Sequence, residues 1–203
     1  GMLVIRAWHE AQGNARRTKV LIPDTAHGTN PATAALAGYD VVPIASQGVL
    51  TLEEVEAHMT DEVAALMVTN PNTLGLFETN IQEICELVHA RGGLVYCDGA
   101  NLNALLGIAR PGDMGIDVMH FNLHKTFATP HGGGGPGSGP VGVSAALVPH
   151  LPEPMVVRNS DGYRFAGSAG SLGRLLAFHG NFGIMVRAFA YIRSMGAQGL
   201  KRA

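Results

Sequence analysis

The chain has 203 residues, with 27 glycines and 11 prolines, and 15% of its residues are charged while 46% are hydrophobic. Globular domains usually carry roughly 25% charged residues and roughly 7% glycine, so charge is scarce here and glycine is in excess. This hydrophobicity excludes an intrinsically disordered chain, and 14 Lys and Arg against 16 Asp and Glu argue against a basic nucleic-acid-binding protein. We expect a globular domain much of whose surface is buried, in its core or against a partner.

The cysteines and the apolar runs indicate the compartment. Cys85 and Cys97 are the only cysteines and form no C-x-x-C motif, which favours two buried thiols over a redox or metal site. No apolar run reaches the ~20 residues of a membrane span, and the first residues lack the pattern of a signal peptide. We therefore expect an intracellular protein that does not associate with a membrane.

Predicted strands and helices alternate along the chain. Strands are predicted at 19–22, 39–44, 63–69, 94–97, 117–123 and 141–148, and helices at 31–36, 51–59, 79–92 and 174–194. Asn30 before Pro31 is typical of a helix start, and capping boxes are predicted at 51–54 and 79–82. Ile81, Ile84 and Val88 recur at helical spacing. The order of these elements carries the fold prediction.

The alternation predicts an α/β fold with a mainly parallel sheet flanked by helices. The run at 63–69 is apolar throughout, as expected for a strand covered on both faces. No domain boundary is apparent, so residues 1–203 are predicted to form one unit. The glycine-rich stretch 131–140 lies between two predicted strands. It is either a generic linker or a functional loop.

Polar residues follow several of the predicted strands, where ligands bind in open α/β sheets. They are Asp24, His27, Thr29 and Asn30 after the first strand, Asn70 and Asn72 after the third, Asp98, Asn101 and Asn103 after the fourth, and His124, Lys125 and Thr126 after the fifth. The sequence has no P-loop, no G-x-G-x-x-G motif opening a helix and no zinc spacing among its nine histidines. We expect a small-molecule site without a metal at these strand ends.

A carboxylate and a lysine at one sheet edge favour a particular chemistry. An acid that follows an apolar strand, as Asp98 does, stays ionised only beside a cationic partner. A lysine in a partly desolvated pocket loses its proton readily and forms Schiff bases. Pyridoxal phosphate (PLP) matches both groups, because its aldehyde takes the lysine and its protonated ring nitrogen pairs with the acid.

Several motifs together resemble one family. They are DTAHGTNP at 24–31, TNPNTLG at 69–75, DGAN at 98–101, ARPGDMG at 109–115, NLHKTF at 122–127 and the glycine-rich loop at 132–140. In these motifs the chain resembles, nearly end to end, the glycine decarboxylase P-protein of the glycine cleavage system, in the form of its second subunit or C-terminal half. The resemblance implies the large domain of a fold type I PLP enzyme. It also implies that residues 1–203 are a truncated core, without the upstream phosphate loop and the downstream small domain.

The resemblance assigns roles to individual residues. Lys125 would form the Schiff base with the cofactor, Asp98 would pair with the pyridinium nitrogen, and His27 would stack on the ring. Asn70 matches an amide near the phenolic oxygen, and the remaining cofactor contacts implied are His124, Thr29 and Ala100. A helix-start histidine is the alternative for His27, a loop cap for Asn70 and a solvated lysine for Lys125.

The implied reaction is the decarboxylation of glycine with transfer of the aminomethyl group to the lipoyl group of H-protein. A companion P-protein subunit is the other expected partner, in a bacterial cytoplasm or a mitochondrial matrix. The glycine-rich loop would let the lipoyl arm approach closely. As a truncated core, the chain is expected to bind PLP weakly, to be inactive alone and to expose apolar patches that favour self-association. Two rival hypotheses are another fold type I enzyme, such as a lyase or an aminotransferase, and a silent assembly module.

Overall fold

The computed structural model describes residues 1–135, 137–176 and 179–203. The strands are β1 (Lys19–Pro23), β2 (Asp40–Ile44), β3 (Val63–Thr69), β4 (Leu94–Gly99), β5 (Val118–Phe121), β6 (Val141–Val143), β7 (Met155–Asn159) and β8 (Gly162–Ala166). The α-helices are α1 (Met2–Ala11), α2 (Thr29–Leu36), α3 (Leu52–His58), α4 (Ile81–Ala90), α5 (Leu123–Thr126) and α6 (Phe182–Arg202), the last with a break at Gly196. Short 3₁₀ helices occupy Leu102–Leu105, Pro111–Met114 and Ala145–His150.

The described strands form a six-stranded sheet and a separate hairpin. The sheet order is β2-β1-β3-β4-β5-β6, and the hairpin pairs β7 with β8. All pairs from β2 to β5 are parallel, whereas β6 runs antiparallel to β5. The predicted α/β fold with a mainly parallel sheet is therefore confirmed. The carboxyl ends of β1, β3, β4 and β5 meet at one edge of this sheet.

Apolar layers cover both faces of the sheet, because side chains alternate between the faces along each strand. Leu21, Leu66 and Val95 lie on the face that α3, α4 and α6 cover. Met67 and Tyr96 lie on the opposite face, against α1 and α2. Every residue of β3 and β4 is buried. Each large aliphatic side chain buried there contributes about 1.5–3 kcal/mol, so this double layer is the main source of stability.

One predicted helix cap is confirmed and two are wrong. The Thr51 hydroxyl accepts from the Glu54 N–H at 3.2 Å, and the Glu54 carboxylate accepts from the Thr51 N–H at 2.8 Å. The box predicted at 79–82 is absent, because α4 begins at Ile81 and takes Asn80 as its N-cap. The Asn80 amide donates to the Leu50 carbonyl at 3.2 Å instead of capping the helix. Similarly, α2 begins at Thr29 and takes Gly28 as its N-cap, two residues before the predicted cap Asn30.

The other departures from the predicted elements lie mostly at the two ends of the chain. Helix α1 and the β7–β8 hairpin were not predicted, and α6 begins at Phe182 instead of at 174. Part of that predicted helix, residues 177 and 178, and residue 136 of the glycine-rich loop lie outside the described residues. The predicted fifth strand ends at Phe121 and turns into α5, and the sixth ends at Val143 before a 3₁₀ helix. Within the described residues, none of the helices combines the length and the apolarity that crossing a bilayer requires.

Candidate active site

Asp98 lies at the centre of the polar sheet edge. It stands near the end of β4, opposite Thr69 of β3 on one side and His120 of β5 on the other. Its residue is only 4% exposed. Because the strands on both sides are parallel neighbours, their polar ends converge on this carboxylate.

Three groups surround the Asp98 carboxylate. The Ala100 N–H donates to Oδ1 at 3.0 Å, the His120 Nδ1 lies 3.5 Å from Oδ1, and the His27 Nδ1 lies 3.8 Å from Oδ2. Burial opposes ionisation of the carboxyl, but the His120 ring, the charge of His27 and the Ala100 N–H outweigh it, so the pKa of Asp98 lies below its ordinary value. Asp98 is therefore a carboxylate at neutral pH.

His27 is held by its own loop. Its backbone N–H donates to the Thr69 hydroxyl at 2.8 Å, and its ring Nδ1 accepts from the Thr29 N–H at 3.2 Å. Because a backbone N–H can only donate, Nδ1 acts as the acceptor, and a neutral ring then carries its proton on Nε2. Thr29 thus orients the His27 ring, whose side chain remains 36% exposed at the sheet edge.

Asn70 lies beneath the surface, in a network that the sequence analysis did not identify. Its Oδ1 accepts from the Glu78 N–H at 3.1 Å, while its Nδ2 is buried without a partner among the described residues. The Glu78 carboxylate accepts from the Asn72 amide at 2.8 Å and from the Leu50 N–H at 2.7 Å. Glu78 is 1% exposed. This buried acid fixes the loop after β3, and the role of Asn70 near a cofactor stays a prediction.

Lys125 stands on α5 immediately after β5, and its side chain is exposed. His124 precedes it, with Nδ1 buried and without a partner in the described part of the chain. The His124 and His131 rings meet edge to face, with centroids 4.7 Å apart. Burial, followed by the charges of His131, Lys125 and His120, lowers the pKa of His124. His131, which directly precedes the glycine-rich loop, thus lies against His124, the residue before the lysine.

Two residues of the site were missed at the sequence level, His120 and Glu78. His120 lies on β5 itself, where the spacing to His124 carries no helical or metal signal. Only the parallel pairing of β4 with β5, which sets it opposite Asp98, gives it a role. Among the described residues, no three His, Cys, Asp or Glu side chains are grouped so as to hold a metal ion.

Comparison with known proteins places this geometry in a family. The sequence pattern of the family "Aminotransferase class-V" matches residues 2–134. A "probable glycine dehydrogenase (decarboxylating) subunit 2" of Chlorobium chlorochromatii is 58% identical over 205 residues, and one of Bacillus cereus is 59% identical over 204. The chain spans 42% of the length of these relatives. Their names confirm the resemblance drawn from the motifs.

Solved structures agree on the fold. A glycine decarboxylase P-protein of the glycine cleavage system superposes with a TM-score of 0.76 at 22% identity, over 99% of this chain and 47% of its own. A sphingosine-1-phosphate lyase of Burkholderia pseudomallei gives a TM-score of 0.66 at 18% identity, over 98% of this chain and 46% of its own. With more than half of its residues matched by the family pattern, the chain belongs to the aminotransferase class-V family.

Proposed function

We propose that this chain is the cofactor-binding core of a glycine dehydrogenase (decarboxylating) subunit 2. The proposed reaction is the PLP-dependent decarboxylation of glycine with transfer of the aminomethyl group to the lipoyl group of H-protein, beside a companion subunit. The names of relatives at 58% and 59% identity support the activity. The observation that carries the proposal is the buried Asp98 carboxylate, held ionised at the end of a parallel strand.

The residues present fit PLP. A protonated pyridine nitrogen needs a fixed carboxylate, and Asp98 is one. A covalent link needs an accessible amine, which the exposed Lys125 provides. Buried polar atoms without partners in the described residues follow along the same segment: His124 Nδ1, Thr126 Oγ1 and Thr129 Oγ1. Such atoms are costly to leave unpaired, so their presence favours a polar ligand or water at this edge.

Each of the proposed site residues would have a distinct role toward the cofactor. Asp98 would accept a hydrogen bond from the ring nitrogen and hold the proton there. His27, fixed by Thr29, would present its ring to the cofactor, and Lys125 would supply the amine. When bound, PLP supplies an electron sink for the charge that loss of carbon dioxide leaves on the substrate. Burial excludes water from the Asp98 carboxylate, which strengthens its electrostatic interaction with a protonated ring nitrogen.

The test uses the gene product that contains this chain, purified with its companion subunit and PLP. Lys125→Ala should abolish the visible absorbance band of the bound cofactor and the borohydride-stable mass increase on the peptide that contains position 125. It should also lower glycine–bicarbonate exchange with lipoylated H-protein by at least about 1,000-fold. Lys201→Ala, at an exposed lysine of α6, is the matched control and should retain both. An unchanged band in Lys125→Ala would overturn the proposal.

The glycine-rich loop is proposed as the approach path of the lipoyl arm. Gly134 and Gly137 have ordinary φ angles, and a Cβ at either would meet no atom closer than 3.8 Å. Valine at both positions should therefore leave the fold intact and obstruct only the approach of a partner. We expect H-protein-dependent turnover to fall about 10-fold or more while formation of the cofactor band is unchanged.

The matched control for this loop variant is Gly112→Val, at an open position outside the loop. It should change neither measurement. Equal loss of turnover and of the cofactor band in the loop variant would instead indicate misfolding and remove the support for an approach path.

A further inference from the structure

We propose that His120, and not His27, sets the orientation and charge of Asp98, and that position 139 is glycine so that the His120 ring can take this place. His120 is thus a positioning residue that acts through Asp98. The link from Asp98 to a cofactor rests on the function proposed above, whereas the coupling of His120 to Asp98 does not.

His120 contacts the carboxylate oxygen that the chain already holds. Its Nδ1 lies 3.5 Å from Asp98 Oδ1, the oxygen that also accepts the Ala100 N–H at 3.0 Å. The pairing of β4 with β5 puts the two residues directly opposite each other. Oδ1 therefore accepts the Ala100 N–H and has the His120 ring as its nearest ionisable neighbour, which leaves Oδ2 as the oxygen that faces the loop after β1.

His27 is poorly placed for the same task. Its Nδ1 lies 3.8 Å from Oδ2, beyond hydrogen-bond distance. The same nitrogen accepts from the Thr29 N–H at 3.2 Å and lies 3.0 Å from the Thr29 hydroxyl. A nitrogen committed to Thr29 cannot also donate to Asp98 in the neutral ring. His27 is thus oriented by Thr29, and it faces Asp98 only across a 3.8 Å gap.

Gly139, at the end of the glycine-rich loop, packs against the Nε2 edge of the His120 ring. A Cβ at Gly139 would overlap His120 Nε2, although the backbone there has an ordinary φ. The neighbouring backbone is fixed to β5 and α5, because the Phe121 N–H donates to the Pro140 carbonyl at 2.9 Å and the Leu123 N–H donates to the Ser138 carbonyl at 3.2 Å. Any side chain at 139 must therefore displace the ring and not the loop.

The ionisable groups around this pair are few. Tyr96 and Cys97 lie on the same strand as Asp98, His27 faces it from the loop after β1, and His120 faces it from β5. His120 is in turn close enough to His124, the neighbour of Lys125 on α5, for its charge to lower the pKa of His124. Of the groups that face Asp98 from other elements, His120 is the nearer. Its removal should therefore have the larger effect on the carboxyl.

The direct test is a ¹³C NMR titration of the Asp98 carboxyl in the cofactor-free form of the gene product that contains this chain. His120→Asn should raise its pKa, and His27→Asn should raise it by less. His89→Asn removes a histidine that pairs with another aspartate, Asp117, at 2.7 Å, and should leave Asp98 unchanged. If His120→Asn does not fold, His120→Gln takes its place. A larger shift in His27→Asn, or none in the His120 variant, would overturn the proposal.

Gly139→Ala tests the same coupling without altering a titratable group. Displacement of the ring should shift the Asp98 pKa in the same direction as His120→Asn, whereas Gly112→Ala, at an open position, should have no effect. An unchanged Asp98 pKa in Gly139→Ala would contradict the role given to this glycine.

The PLP-loaded subunit gives a second readout. Both the His120 and the Gly139 variants should shift the pH at which the cofactor band changes, with the Lys125 linkage still formed. Absence of any band in the wild-type subunit would count against the proposed function alone, since the NMR titration decides the coupling without a cofactor. A band whose pH dependence is the same in wild type and variants would count against the coupling.

Discussion

The central strands of the sheet and the β7–β8 hairpin are both rich in β-forming residues, yet they differ completely in burial. All residues of β3 are buried, whereas none in β7 or β8 is. Leu66 is 0% exposed, while Val156 and Phe165 are 59% and 64% exposed. Strand propensity alone therefore does not decide where stability lies. Coverage by helices on both faces makes β3 a core element, and the hairpin lacks such coverage within the described chain.

The hairpin also borders an apolar cavity. A space of about 800 Å³ lies beside it, lined among others by Met155, Phe165 and Leu175. Exposed apolar groups of this kind mark contact surfaces or aggregation-prone sites. Val156, Phe165 and Leu175 are exposed apolar side chains of the kind expected of a truncated core, whereas self-association stays a prediction. The contrast with β3 yields four predictions, in order of decreasing effect.

Leu66→Ala should cause the largest loss. Its side chain lies in the middle of β3 among the apolar residues of one face. Truncation removes buried surface and leaves a cavity, so the free energy of unfolding should fall by about 2–5 kcal/mol. Urea unfolding followed by circular dichroism measures this. A loss below about 1 kcal/mol would mean that β3 is no more a core strand than β7.

Glu78→Gln should rank second. One oxygen of the amide would remain as acceptor, and either the Leu50 N–H or the Asn72 amide would lose its partner. A buried donor left unpaired costs about 1–3 kcal/mol, which is the expected loss of stability. Glu83→Gln, at an exposed position of α4, is the matched control and should stay within about 0.5 kcal/mol. Equal losses of stability in the two variants would show that Glu78 has no structural role.

Two histidines on opposite faces of the sheet should give smaller effects of opposite sign. Burial and the charge of Arg17 lower the pKa of His9 despite its hydrogen bond to the Ala64 carbonyl, so stability is lost as the pH falls below 6.5. The hydrogen bond to Asp117 raises the pKa of His89 against the effect of burial. That stabilisation is complete below 6.5 and is lost as the pH rises through the raised pKa.

Urea unfolding between about pH 8 and pH 5 separates the two histidines. His9→Gln should make the loss of stability on acidification shallower, because the group that resists protonation is gone. His89→Gln should remove the gain on lowering the pH toward 6.5. Identical pH profiles in wild type and both variants would contradict the burial of His9 and the pairing of His89.

Val156→Ala should have the smallest effect, within about 0.5 kcal/mol, because the residue is largely exposed. The same urea experiment measures it. A loss above about 1 kcal/mol would indicate that another surface covers the hairpin in solution, and the contrast with β3 would no longer hold.

The sheet could be predicted because its signals are local and strong. The apolar run at β3, the capping box at Thr51 and the helical spacing in α4 each fit within one element. Convergence of Asp98 with the loop that carries His27 followed from the rule for parallel strand ends. The motifs at 24–31, 98–101 and 122–127 added the family.

The remaining features depend on contacts between distant segments. His120 acquires its role only from the pairing of β5 with β4 and from the approach of Gly139. Glu78 is an ordinary acid in the sequence and becomes buried because Leu50 and Asn72 donate to it. The short turn into α5 and the uncovered hairpin carry no strong periodicity. Tertiary packing determines the roles of these residues, and the pattern of a single sequence does not reveal that packing.

The order of the strands has a consequence for how the sheet folds while the protein is being synthesised. Each parallel pairing joins strands that are consecutive or separated by one strand along the chain, so paired residues lie at most about 45 positions apart, as for Val20 and Ala65. Such an arrangement permits assembly during synthesis, with β5 added by residue 121 and the antiparallel β6 closing the edge last. We expect pulse-labelled hydrogen exchange to protect β1, β3 and β4 before β6. Simultaneous protection would mean that the sheet forms only as a whole.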